Sequence, residues 1–180
     1  MGSLQQLVTA QQLLDHPGRC ELVQGELIEM TPAGEQHGGI VMRLAGPIFS
    51  HVKANKLGKV YAAETGFHIE HDPDTVRAPD VAFVRRDRLP PAGQRGFFQG
   101  PPDLAVEVLS PDDSASEVLA KVQDWLAAGC ELVWVVDPRT RTVSVYHSPR
   151  QAEMLGEGDR LTGGNVLPGF DLSVAEIFAE

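Results

Sequence analysis

Between Leu104 and Leu109 the chain is apolar at every position but one. In an extended strand side chains alternate between faces, so Ala105, Glu107 and Leu109 point one way and Leu104, Val106 and Val108 the other. Apolar residues on both faces require cover on both faces. The segment therefore predicts a central, buried strand inside a layered structure, with one carboxylate, Glu107, carried into the interior.

The rest of the chain supplies the layers. Thr9 and Gln12 read as a capping box that opens a short helix ending near His16-Pro17. Glu21 to Ile28 predicts two short strands around a Gln24-Gly25 turn. Ile40, Val41, Leu44, Ile48, Phe49 and Val52 recur at helical spacing between His37 and about Lys56, with Gly46-Pro47 expected to kink or interrupt that helix. Strands are expected at Lys59–Glu70 and Val81–Val84 around an Asp72-Pro73-Asp74 turn, followed by a Pro- and Gly-rich loop to Pro102. Ser114 and Glu117 form a second capping box, opening an amphipathic helix to about Ala128 with Gly129 at its end. Glu131–Val136 and Thr142–His147 make a hairpin around Asp137-Pro138, and Ser173–Phe178 a short closing helix. Strands on both sides of a crossover helix indicate an α/β or α+β sheet flanked by helices. At 180 residues, 42% hydrophobic and 22% charged, the chain suits one globular domain spanning residues 1–180.

The formal charge is −10, which argues against a protein that coats nucleic acid non-specifically but leaves room for a nuclease with an acidic metal site. The one concentrated basic feature is Arg85, Arg86, Arg88 and Arg95, which reads either as a solvated loop or as a contact for a nucleic-acid backbone. Apolar runs of about five residues, such as Leu132 to Val136, cannot span a bilayer. The opening MGSLQQLVTA lacks a signal-sequence pattern, and the two cysteines, Cys20 and Cys130, form no metal or redox motif, so a reduced, cytoplasmic protein is expected.

The chemistry centres on Glu107. A lone carboxylate in a buried strand loses several kcal/mol or its charge unless a cation accompanies it. That cation is either a Lys or Arg in a structural ion pair or a metal ion. Asp80, after Pro79 at the start of the apolar Val81–Val84 strand, is the natural companion for a metal, although Pro-Asp is also a common turn. Two carboxylates suit a hard cation such as Mg²⁺. Lys121 lies on the flank of the Val118, Leu119, Val122, Trp125, Leu126 stripe, where its stem can run along the core and deliver an ammonium to the sheet. The alternative is a surface pair with Glu117. His68, Glu70 and the nearby His71 hint at zinc, but no fourth spaced ligand follows, so satisfied or exposed histidines are expected. No Gly-x-Ser-x-Gly elbow occurs, and the glycines at 156, 158, 163 and 164 fit no phosphate-binding loop.

A set of short motifs falls in a familiar order: Glu21-Leu-Val-Gln-Gly25-Glu26, Pro32 to His37, Arg77-Ala-Pro79-Asp80-Val, and Val106-Glu107-Val-Leu-Ser110-Pro111. Lys121-x-x-x-Trp125-x-x-x-Gly129, Val133-Trp134-Val-Val-Asp137-Pro138, Leu167-Pro-Gly169-Phe-Asp-Leu172 and Ile177-Phe178 follow. This resembles the Uma-type restriction endonuclease family of the PD-(D/E)XK nuclease-like superfamily, over about residues 19–178. The resemblance implies a restriction-endonuclease-like fold with a mixed central sheet flanked by helices. It implies that Asp80 and Glu107 are the two metal-binding acids. The motif's lysine falls two residues after Glu107, where this chain has Leu109. Lys121 matches the family's downstream lysine and would supply the ammonium from a helix. Family members often carry Asp and Tyr four residues on either side of that lysine; Glu117 and Trp125 stand there. Glu21 and His37 match recurrent positions, Glu21 as a possible accessory acid and His37 either as an accessory group or as a cap on the long helix.

The leading expectation is a Mg²⁺-dependent endonuclease acting on DNA, with Mn²⁺ as a substitute, catalytic residues Asp80, Glu107 and Lys121, and a homo-oligomer, such as a dimer, to cut two strands. The rivals are a catalytically idle scaffold that binds a partner or nucleic acid, and a metal-dependent hydrolase of some other phosphoester.

Overall fold

The computed structural model describes residues 7–111 and 113–179; the first six residues of the opening segment lie outside them. Among the described residues the α-helices are α1 (Ala10–Leu14), α2 (Glu35–Asn55), α3 (Ala115–Ala127) and α4 (Val174–Ile177). The strands are β1 (Cys20–Val23), β2 (Glu26–Glu29), β3 (Gly58–Ala62), β4 (Phe67–Glu70), β5 (Thr75–Arg77), β6 (Val81–Arg85), β7 (Phe98–Gln99), β8 (Leu104–Val108), β9 (Leu132–Asp137), β10 (Thr142–Ser148), β11 (Gln151–Leu155), β12 (Arg160–Gly163) and β13 (Leu167–Ser173).

A six-stranded mixed sheet of order β11-β10-β9-β8-β6-β3 forms the centre. Its one parallel pair, β8 with β9, is joined by the crossover helix α3, while β6 runs antiparallel to β8 with Val81 opposite Val106. As expected of its sequence, β8 is buried at all five positions. Val81, Phe83, Leu104, Val106, Leu132 and Trp134 pack on one side against Ile40, Leu44, Ile48 and Val52 of α2. Ala82, Val84, Ala105, Val133 and Val135 pack on the other against Val122 and Trp125 of α3. A second sheet, β2-β1-β5-β4-β7, and the β12–β13 hairpin complete the framework. This is the α+β architecture expected, a mixed sheet with helices on both faces.

Both capping boxes are present, Thr9 with Gln12 and Ser114 with Glu117. The β1–β2 turn places Gln24 and Gly25 at φ 49° and 79°, left-handed backbone that suits a two-residue hairpin.

Three expectations need correction. The long helix is not interrupted at Gly46-Pro47: α2 runs unbroken from Glu35 to Asn55 with Pro47 inside it. Proline there forfeits one backbone hydrogen bond, yet Leu44 and Ile48 on either side of it are fully buried, so the packed stripe carries the helix through. The single strand expected at Lys59–Glu70 is two, β3 and β4, in different sheets, because the chain turns at residues 63–66. Residues 151–173, whose sequence carries no clear strand signal, form β11, β12 and β13.

Candidate metal and catalytic centre

Asp80 sits one residue before β6, where the Val81–Val106 register carries it opposite Glu107. Its backbone N–H donates to Val106 O at 3.0 Å, extending the ladder to that point. The side chain then turns onto the end of β8: Asp80 Oδ2 accepts the Val108 N–H at 2.7 Å. Among the described residues nothing bonds Asp80 Oδ1, which remains open for a cation.

Glu107 has one partner on each oxygen, and both come from α3. The Trp125 indole N–H donates to Oε1 at 2.8 Å, and Lys121 Nζ lies 3.6 Å from Oε2. Lys121 and Trp125 are four residues apart, so one helical turn aims both at the same carboxylate. Glu107 is nonetheless held up at about 7, because burial outweighs the nearby ammonium and the negative charges of Asp80 and Glu21 add to it. The Glu107 carboxylate in turn raises Lys121 above the ordinary lysine range, against the effect of burial. Two carboxylates facing one another, with Asp80 Oδ1 unbonded among the described residues, are a donor set that fits a divalent hard cation.

His37 enters from the first turn of α2. Its Nε2 lies 2.9 Å from Val108 O and 3.3 Å from Asp80 Oδ2. Both partners are acceptors, so this nitrogen carries the proton. The bond to Asp80 raises His37 above the usual histidine range, with burial working against it. His37 is not the cap of the helix: that position is Gly34, which makes no side-chain capping bond.

Glu21 is 2% exposed and fully engaged. Oε2 accepts from Arg77 Nη1 at 2.7 Å and Oε1 from the Ala78 N–H at 2.9 Å. The same guanidinium donates Nε and Nη2 to Asp124 Oδ2 at 3.0 and 2.6 Å. Arg77 thus ties β1 and β5 to α3, the helix that carries Lys121 and Trp125.

The sequence profile of the Uma2 family, described as "Putative restriction endonuclease", matches residues 6–175. The chain belongs to the Uma2 family. A crystal structure described as that of a putative nuclease belonging to DUF820, from Anabaena variabilis, is similar in fold: the TM-score is 0.82 at 23% identity, over 95% of this chain and 97% of that one. No curated protein matches the chain.

In this Uma2 member, Asp80, Glu107 and Lys121 converge, His37 adjoins Asp80, and Glu21 stands behind them on Arg77. Lys121 faces Glu107 rather than Glu117, which is occupied in capping Ser114. Three residues of the cluster went unassigned in the sequence. Trp125 is legible as part of the apolar stripe and of the Lys121-x-x-x-Trp125 motif but not as a donor to Glu107, although an indole N–H needs a buried partner. Arg77 stood inside a recognised motif without a role, and Asp124 lies beside Trp125 with nothing local to mark it.

The arginine loop is elsewhere. It contains a 3₁₀ turn at Arg86–Arg88. Arg85 and Arg88 both reach Asp103, at 3.2 and 2.9 Å, and Arg85 also forks onto Glu131. Asp103 is 1% exposed and needs those cations. Arg85 ends β6 and Asp103 precedes β8, so this cluster lies at the opposite end of the strand pair from Asp80 and Glu107. Arg85 and Arg88 are thus engaged in a structural ion-pair network while their side chains stay partly exposed.

Proposed function

We propose that the chain is a metal-dependent endodeoxyribonuclease whose working group is Asp80, Glu107 and Lys121. The observation that carries this reading is the shared corner of β6, β8 and α3, where two carboxylates stand opposite one another and an ammonium lies 3.6 Å from the more buried of them. Asp80 and Glu107 would hold Mg²⁺ or Mn²⁺. When bound, that ion supplies Lewis-acid stabilisation of a phosphate oxygen and lowers the pKa of water.

The chain's own groups do the rest. Lys121 presents a positive charge where charge develops on the phosphoryl oxygens. His37 and the Val108 N–H fix the orientation of Asp80, and the Trp125 indole fixes that of Glu107. Glu21 acts as a positioning residue, holding α3 in place through Arg77 and Asp124. Phosphodiester hydrolysis of this kind leaves a 5′-phosphate and a 3′-hydroxyl. Cutting both strands of a duplex calls for two such sites and hence a paired assembly.

The test is cleavage of supercoiled plasmid by protein freed of metal and then supplied with Mg²⁺ or Mn²⁺. Nicking or linearisation that chelation stops and Asp80→Ala abolishes is the expected result. Absence of metal-dependent cleavage across single- and double-stranded DNA and RNA would favour the idle scaffold. Activity that persists in Asp80→Ala would indicate a contaminant.

A further inference from the structure

The β4–β5 hairpin carries a second cluster of ligating atoms that shares no residue with the corner just described. His68 Nε2 lies 2.9 Å from Asp74 Oδ1, and His71 Nδ1 lies 3.9 Å from the same oxygen. The three ligand atoms all lie within 4.8 Å of one another. The spacing is three residues twice over, and a turn makes it work: Asp72 at φ 53° folds the chain back, bringing His71 beside His68 with ring centroids 3.9 Å apart. Glu70, which alternation along a strand would pair with His68, instead accepts a hydrogen bond from Thr75 Oγ1 at 3.3 Å.

We propose that His68, His71 and Asp74 form a binding site for Zn²⁺ or a similar borderline divalent cation. Two imidazole nitrogens and one carboxylate oxygen are the donor set such ions favour, whereas the all-carboxylate corner suits harder cations. The carboxylate is already oriented, because Asp74 Oδ2 accepts the Ala10 N–H at 2.7 Å, an outer contact of the kind that fixes metal ligands. Ligands of a tetrahedral zinc stand roughly 3.3 Å apart, from bond lengths of about 2.0–2.1 Å. The His68–Asp74 pair opens a few tenths of an ångström to reach this, and the His71 ring, largely exposed, moves in by a little more. A cavity of about 400 Å³ adjoins the three residues, lined also by Gln11, Arg95 and Gln99, and leaves room for water or an anionic ligand in the remaining position.

The test uses metal-free full-length protein carrying Cys20→Ser, because Cys20 Sγ lies 3.6 Å from His16 Nδ1 and is another soft ligand pair. Zinc titration by calorimetry, and cobalt titration followed by visible d–d absorption, should each show a site that His71→Ala weakens by on the order of 100-fold. Asp74→Asn, which keeps an acceptor for the Ala10 N–H, should do the same. Asp80→Ala should leave the site intact, which separates this proposal from the nuclease reading. Zinc binding that His71→Ala leaves unchanged, or no zinc binding at all, would overturn it.

Discussion

Lys121 Nζ reaches Glu107 Oε2 at 3.6 Å from a helix, not from the strand that carries Glu107. Two residues on, just past the end of β8, stands Leu109, which packs with the core on the α3 side. The charge that a lysine at 109 would have delivered within the strand arrives across the layer. Removing that lysine and removing the acids should therefore have separable effects. Lys121→Ala should abolish cleavage with little loss of Mn²⁺ affinity, since an ammonium cannot ligate a cation. Asp80→Ala should lose both. Calorimetry beside a plasmid assay checks the pair; equal loss of metal binding in the two variants would remove Lys121 from its proposed role.

Stability should depend on pH through Glu107. Its carboxyl is raised from an ordinary 4.5 to about 7, so between those values the folded chain holds a proton that the unfolded chain has released. Stability from this group is complete below about pH 4.5 and lost as pH rises through about 7. The loss is on the order of 3 kcal/mol, at roughly 1.4 kcal/mol per pH unit. Glu107→Gln should erase this slope in metal-free buffer and be at least as stable as the wild type at pH 8. Lys121 would not be left without negative neighbours, because Asp80 and Glu21 remain near it. Urea midpoints across pH 4 to 8 decide the matter: a large destabilisation of Glu107→Gln at pH 8 would mean that the carboxylate serves a structural ion pair instead.

Trp125→Phe keeps an aromatic ring and removes the donor to Glu107 Oε1. The ionised carboxylate then loses a hydrogen bond, worth about 1.5–3 kcal/mol when one partner is charged. Metal binding that requires ionised Glu107 should shift to higher pH by roughly one unit or more. Mn²⁺ affinity measured as a function of pH reads this directly, and an unmoved midpoint would exclude the indole from tuning the acid.

Arg77→Ala should be among the more damaging single changes. It leaves Glu21, 2% exposed, without its cation and frees Asp124 from the strand layer. Breaking a buried pair this way costs about 3–5 kcal/mol. A loss of unfolding free energy of less than about 1 kcal/mol in urea titrations would show that Glu21 is compensated by other means.

How far the sequence could be read depended on the range of each signal. The cover on both faces of β8 followed from local alternation, and both helix starts followed from Thr9-x-x-Gln12 and Ser114-x-x-Glu117. Asp80, Glu107 and Lys121 could be named because a buried acid needs company and because the motifs fall in the order of a family. Arg77 with Asp124 is a contact between positions far apart in the chain, which no local pattern encodes. Pro47 misled because its backbone cost is visible locally, while the packing of Leu44 and Ile48 that offsets it is not. His68 and His71 were weighed on strand geometry with Glu70, whereas a turn decides their meeting with Asp74.

The clamp of Arg85 and Arg88 on Asp103 has a kinetic consequence for a chain of this charge. Two cations from the richest basic stretch are spent within the fold, and each phosphate contact forgone is a counterion not released on binding. Contact with a duplex should accordingly be brief, and added salt, by screening the repulsion between the net negative chain and a polyanion, should speed encounter instead of slowing it. On the proposed nuclease reading, such a protein would sample DNA by short collisions rather than by long sliding, and its selectivity would rest on which collisions seat a phosphate at Lys121.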